Sequence, residues 1–165
     1  MLSAILSKSD CASCRFCCSF RRQSLWETPL FEKSLAEKLS AKFKDARFKP
    51  VGKNSCTIDL SSCYKTDNSE EEATCPFLDA NKGCLLTPEE KPFDCSIWPL
   101  RASRRPSDGK LVVALTRTCP TVNKVPLSQV EELVKGGLGE KILSRAKENP
   151  DMIKDWCEKF VCVTL

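Results

Sequence analysis

The chain has 165 residues, room for one domain with a modest core. Its formal charge of +4 counts every cysteine as neutral, and thiolates on a metal would add negative charge that bound cations offset, so the basic balance is weak ground for a nucleic-acid partner. Histidine is absent, which excludes mixed cysteine and histidine zinc sites, serine-histidine-aspartate and cysteine-histidine catalysis, and the usual near-neutral general base. Twelve cysteines, about 7% of the chain, fall just below the density of a secreted disulfide scaffold. The N-terminal MLSAILSKSD has no basic n-region and too short an apolar run for a secretory signal, and no later run has bilayer length. The expectation is a cytoplasmic protein with no membrane partner, whose thiols bind metal instead of pairing.

The most informative stretch is Cys11 to Cys18, C-A-S-C-R-F-C-C. Three cysteines spaced two residues apart curl a loop so that their sulfurs converge, as in the run that opens a bacterial four-iron cluster site. Neighbouring cysteines in such a run cannot bridge one another without strain, so disulfides account for it poorly. Consecutive side chains diverge, so at most one of Cys17 and Cys18 serves the same metal as Cys11 and Cys14.

Thr28 followed by Pro29 reads as an N-cap and first helical position. Leu30, Phe31, Leu35, Leu39 and Phe43 recur at helical spacing, predicting an amphipathic helix packed over the cysteine loop. Periodicity fades over 48–74, where 56–60 reads as one short strand and 65–72 as an exposed loop. Then comes Cys75-Pro-Phe-Leu, with turn residues from Asp79 to Gly83 that fold Cys84 back toward Cys75. Thr87 and Glu90 form a capping box around a brief turn that Pro92 ends, swinging Cys95 back toward Cys84. The runs 97–102 and 110–117, joined through Asp108-Gly109, predict an antiparallel hairpin that returns Cys119 to the neighbourhood of Cys95. Beyond Val125 the spacing predicts three helices: one capped by Ser128 with Glu131 and stopped at Gly136-Gly137, one over 138–148, and one after Asn149-Pro150 with Met152, Ile153, Trp156, Phe160 and Val161 on its apolar face. The fold class expected is α+β: a small irregular single domain built around cysteine metal sites, with a hairpin and flanking helices. Residues 11–120 form the cysteine-rich body and 125–165 a helical segment.

The pattern C-x2-C-x2-C-C, then C-P-F-L, G-C, K-P-x-x-C-x-x-W-P and C-P resembles the CxxCxxCC cysteine-cluster family, described as zinc- or iron-chelating domains, and is related to the cluster region of flagellin lysine methylases. Eight cysteines match in order: Cys11, Cys14, Cys17, Cys18, Cys75, Cys84, Cys95 and Cys119. The resemblance implies that these are metal ligands. The chain departs from the family at Lys91-Pro92 and Ser96, where arginines are usual, and in a longer Cys84 to Cys95 spacing.

The metal can also be weighed without the family. Structural zinc usually draws on separated C-x2-C knuckles, whereas a C-x2-C-x2-C run and Cys-Pro dipeptides are iron-sulfur habits. A 4Fe-4S cluster is therefore favoured, with zinc as the alternative, and eight thiols suffice for one site or two. Cys56, Cys63, Cys157 and Cys162 read as small buried hydrophobes. Arg101, Arg104, Arg105, Lys110 and Arg117 read as a solvated face without the interleaved aromatics of a nucleic-acid surface. Trp26, Trp98 and Trp156 read as shields that keep water from the metal.

The leading reading is a small metal-binding protein whose iron-sulfur cluster transfers electrons or senses redox state with a protein partner. The alternatives are a zinc-stapled interaction module and a component of a methyl-transfer enzyme, although no catalytic constellation is visible. If the metal replaces an apolar interior, chelation should unfold residues 11–120.

Overall fold

The computed structural model describes residues 13–163, the Trp26 side chain excepted; Cys11 and the expectation for Trp26 fall outside that description. The fold is α+β, with several small sheets and short helices. Two compact units emerge: residues 15–95, and residues 96–163 together with Ser13 and Cys14.

In the first unit, β1 (Ser19–Arg21) pairs antiparallel with β5 (Glu72–Thr74), Phe20 opposite Ala73. Strands β2 (Leu30–Glu32), β3 (Phe48–Val51) and β4 (Ser55–Ile58) form a sheet in the order β2-β4-β3. Helix α1 (Lys33–Lys42) leaves β2 and buries Ala36 and Leu39. Its last turn carries Lys42, whose ammonium suits the negative helix end and meets Glu90 at 2.7 Å.

The proposed Thr28 cap does not form. Thr28 is buried, donates its hydroxyl to the Leu25 carbonyl at 2.7 Å and accepts from Thr57 at 2.6 Å. Its side chain serves tertiary bonds, so Leu30 to Glu32 run extended and the helix is shorter than the apolar stripe implied. The Leu30 N–H donates to the buried Asp94 carboxylate at 3.1 Å, fixing this strand start to the segment that carries Cys95.

One apolar core fills this unit: Phe20, Phe31, Leu39, Ile58, Leu60 and Phe77 are each at most 5% exposed. Phe77 lies at its centre, edge-on to Phe43 at 5.2 Å between ring centroids and tilted against Phe31 at 6.0 Å. Burying six such side chains at about 1.5–3 kcal/mol each is a driving force of ordinary size. The interior is therefore apolar in its own right, which revises the idea that metal stands in for it.

Beyond β5 the chain makes β6 (Leu78–Asp79), β7 (Gly83–Cys84) and helix α2 (Phe93–Ile97). The second unit is built on β8 (Leu100–Arg104) and β9 (Leu111–Thr116), the hairpin expected around Asp108-Gly109; Gly109 takes the positive φ of 68° that this turn needs. Helices α3 (Leu127–Leu133) and α4 (Gly139–Glu148) follow, joined by a π turn over Val134–Leu138 in which Gly136 and Gly137 leave helical geometry. The Ser128 capping box is absent: α3 starts at Leu127 after Pro126, with no side chain bonded to its first amides.

The last expected helix is corrected. Asn149 caps a single 3-10 turn, Pro150–Met152, and the chain then forms β10 (Ile153–Lys154), parallel to β8, and β11 (Phe160–Cys162), antiparallel to β9. The sheet order is β10-β8-β9-β11. Ile153 and Val161 are β-branched, and both edges of the β8–β9 hairpin offer unpaired backbone groups, so ladder bonds win over a weak helical stripe. Residues 125–163 thus carry two helices and then, after one 3-10 turn, the two edge strands of this sheet.

Candidate metal centre

No described cysteine is joined in a disulfide. Among the expected ligands, Cys17 and Cys18 lie on a one-turn 3-10 segment, Phe16–Cys18, which leads straight into β1. Because β1 pairs with β5, the residues flanking both strands are brought together: the Cys75 N–H donates to the Cys18 carbonyl at 2.8 Å. The β ladder thus joins the C-x2-C-C run to the C-P-F-L stretch.

Cys84 arrives by the turn the sequence predicted. The Asp79 carboxylate accepts the N–H groups of Asn81 and Lys82, each at 2.8 Å, and Gly83 supplies a positive φ of 75°, so β6 and β7 pair with Leu78 opposite Cys84. Two amides beside it hold Asp79 below the usual carboxylate range. The hairpin is tied to the core through Phe77, whose carbonyl accepts the Leu85 N–H at 2.8 Å.

Cys75 is the electrostatic focus of this set. Burial pushes its thiol up to about 11; the Phe77 N–H opposes that, and the nearby Cys84 and Cys17 sulfurs add to it. Cys17 and Cys84, from two remote segments, therefore both bear on Cys75, and Cys18 joins it through the main chain. Cys17 and Cys84 are exposed, each beside an exposed apolar residue, Phe16 and Leu85.

The other expected ligands are placed differently. Cys95 is exposed on α2, after the Thr87–Glu90 turn whose capping box does form: the Thr87 N–H donates to the Glu90 carboxylate at 3.1 Å, and the Glu90 N–H to the Thr87 hydroxyl at 3.4 Å. Cys119 is buried beyond β9, and Cys14 is half-buried; both belong to the second unit. Helix α2 was missed by sequence reasoning, although Pro92 just before it and Asp94 in its first turn were readable signals of a helix start.

Of the other four cysteines, Cys56 packs against the core of the first unit, but Cys63 is exposed, which corrects its reading as a buried hydrophobe. Cys157 and Cys162 are half-buried, and the Cys162 sulfur lies beside the Arg105 guanidinium. Arg101 is no part of a solvated face: it is 3% exposed, stacked with its guanidinium carbon 4.5 Å from the centre of the Trp98 ring.

The donors suit a thiophilic metal, since sulfur is the common element of the converging set. Among the described residues, however, no three cysteine, aspartate or glutamate side chains are grouped so as to hold a metal ion. The fit is one of donor chemistry and chain path. Among the described residues no helix is long and apolar enough to cross a membrane. No family model, curated protein or solved structure matches the chain.

Proposed function

We propose that this is a small thiolate metalloprotein that holds an iron-sulfur cluster of the four-iron kind and uses it to carry or sense electrons. The observation that carries the reading is the meeting of Cys17 and Cys18 with Cys75 and Cys84, two segments far apart in sequence joined by the β1–β5 ladder. A chain without histidine has thiolate as its natural soft donor, and the C-x2-C-x2-C run is the spacing iron-sulfur sites use. Cys75 and Cys84 with one of the adjacent pair Cys17 and Cys18 are the residues that would hold the group, with Cys11, Cys14, Cys95 and Cys119 as the remaining sulfurs of the pattern. The cluster supplies one-electron chemistry at a potential set by charge, hydrogen bonds to sulfur and exposure. The protein's part is to offer the thiols at its surface, where Cys17 and Cys84 are exposed to an electron partner.

A zinc-stapled module is the second reading, favoured by one feature: sulfur comes from two separate segments, Cys17 and Cys18 on one short turn and Cys75 and Cys84 flanking a hairpin, and a closed zinc site likewise draws four thiolates from two segments. Anaerobic purification from metal-replete cells, followed by iron, sulfide and zinc analysis and an absorption spectrum, separates the two. Brown protein with matched iron and sulfide is expected. Colourless protein with stoichiometric zinc selects the module, and protein free of both metals defeats the proposal.

A further inference from the structure

Between the C-x2-C pair and the Cys17-Cys18 pair stands Arg15, the only non-glycine residue with positive φ among the described residues, at 51°. The left-handed region costs an ordinary side chain roughly 1 kcal/mol. Asparagine or glycine would adopt it more readily, so the choice of arginine calls for a role of its side chain. That role is visible. Its guanidinium donates to the carbonyl of Ala80, in the turn that joins β6 to β7, and its charge also draws on Asp79 in the same turn. The Arg15 carbonyl meanwhile accepts the Cys18 N–H at 2.9 Å, closing the turn that carries Cys17 and Cys18.

One residue therefore grips both halves of the thiol set: its main chain shapes the turn of Cys17 and Cys18, and its side chain ties that turn to the hairpin of Cys84. We propose that Arg15 is the positioning residue of the metal centre, a clamp that holds the two thiol-bearing turns together before any metal arrives. The inference rests on the reading of these thiols as ligands. Its physical content is preorganisation: turns already joined lose less freedom when an ion binds, so affinity rises without a new ligand. A guanidinium suits the task because it is always charged and donates in a fixed planar fork, and its positive charge offsets the negative charge that bound thiolates bring.

The test compares Arg15→Asn, Arg15→Ala and Arg15→Lys in the full chain, with two readouts. The first is affinity for zinc added to the metal-free protein, by competition with a chelator. The second needs no metal: hydrogen exchange at the Cys75 amide, whose bond to the Cys18 carbonyl reports whether the turn stays docked on β5. Asparagine accepts the left-handed backbone but cannot reach Ala80, so Arg15→Asn is expected to bind roughly tenfold more weakly, the worth of about one charge-assisted hydrogen bond. It should also exchange the Cys75 amide several-fold faster. Arg15→Lys, which keeps the charge and a donor, should recover part of both.

If Arg15→Asn matches the parent in affinity and exchange, the clamp is wrong. If only Arg15→Ala fails, the backbone conformation matters and the guanidinium does not, which also overturns the proposal. Should the parent chain bind no metal, the functional reading falls, and the exchange experiment still decides whether Arg15 joins the turns.

Discussion

Residues 15–95 and 96–163 solve the same problem in different ways. The later unit is regular: β10-β8-β9-β11 make one sheet, α4 packs against β8 and β9, and Val113, Ala114, Val130 and Ile142 are fully buried. The earlier unit has strands of two to four residues in three separate sheets, one helix of ten residues and the start of α2, with Cys17, Cys18, Cys63, Cys75 and Cys84 on short turns or at strand ends, Cys56 inside β4 and Cys95 on α2. It has a true apolar core, drawn from α1, the three-stranded sheet and the β1–β5 ribbon, with Cys75 packed against it, while Cys17 and Cys84 lie exposed. Sulfur is concentrated where regular structure is thin, which is where a metal has most to add.

The largest effect should break the comparison at the thiols themselves. Replacing Cys17 and Cys84 together by serine is expected to abolish stoichiometric metal, whereas Cys157→Ser with Cys162→Ser leaves it intact; metal analysis of the two proteins reads the difference. Loss of metal should lower the unfolding midpoint without abolishing a cooperative transition, because the 15–95 core is already apolar.

The second contrast concerns cores. Ile142 and Leu39 are at most 1% exposed, and truncating either to alanine should cost about 2–5 kcal/mol by denaturant titration. The cost at Ile142 should be the same with and without metal. The cost at Leu39 should be felt with its metal as well, as weaker retention against a chelator.

A third change sharpens the account of the regular unit. A Cβ at Gly139 would lie 2.7 Å from the Val134 side chain and 3.0 Å from its carbonyl oxygen, so Gly139→Ala should destabilise by about 1–3 kcal/mol and leave metal content unchanged.

The smallest effect is electrostatic. Arg105 donates to both carboxylate oxygens of Asp108, at 2.9 and 2.6 Å, and holds its pKa down to about 2. A carboxyl with a folded pKa below its unfolded one adds stability at pH above the unfolded value, and loses it as pH falls toward the folded one. The pair therefore contributes above about pH 4 and fades toward pH 2, modestly because it faces solvent. In Arg105→Ala, NMR titration of Asp108 should return to the ordinary carboxylate range.

What could be read from the chain was whatever local chemistry decides. Asp79 to Gly83 and Asp108-Gly109 specify tight turns by side-chain bonds and positive φ, and both hairpins form around them. The Thr87–Glu90 capping box is as local, and it forms too. Where the outcome depended on a distant partner, the sequence misled: Thr28 bonds Thr57 instead of capping a helix, and 153–162 joins the edges of a sheet whose strands lie far earlier in the chain. The candidate site shows the same division. Its residues were legible as cysteines in a known spacing, but the ladder that brings Cys18 to Cys75, and the reach of Arg15 to Ala80, depend on pairings that no local pattern announces.

The central claim is that sulfur from these two segments surrounds a metal. X-ray absorption at the metal edge of anaerobically purified protein tests it most directly. The account predicts a first shell of sulfur alone at about 2.3 Å, with iron neighbours if the centre is a cluster. A shell dominated by oxygen or nitrogen, or no bound metal to measure, would contradict it.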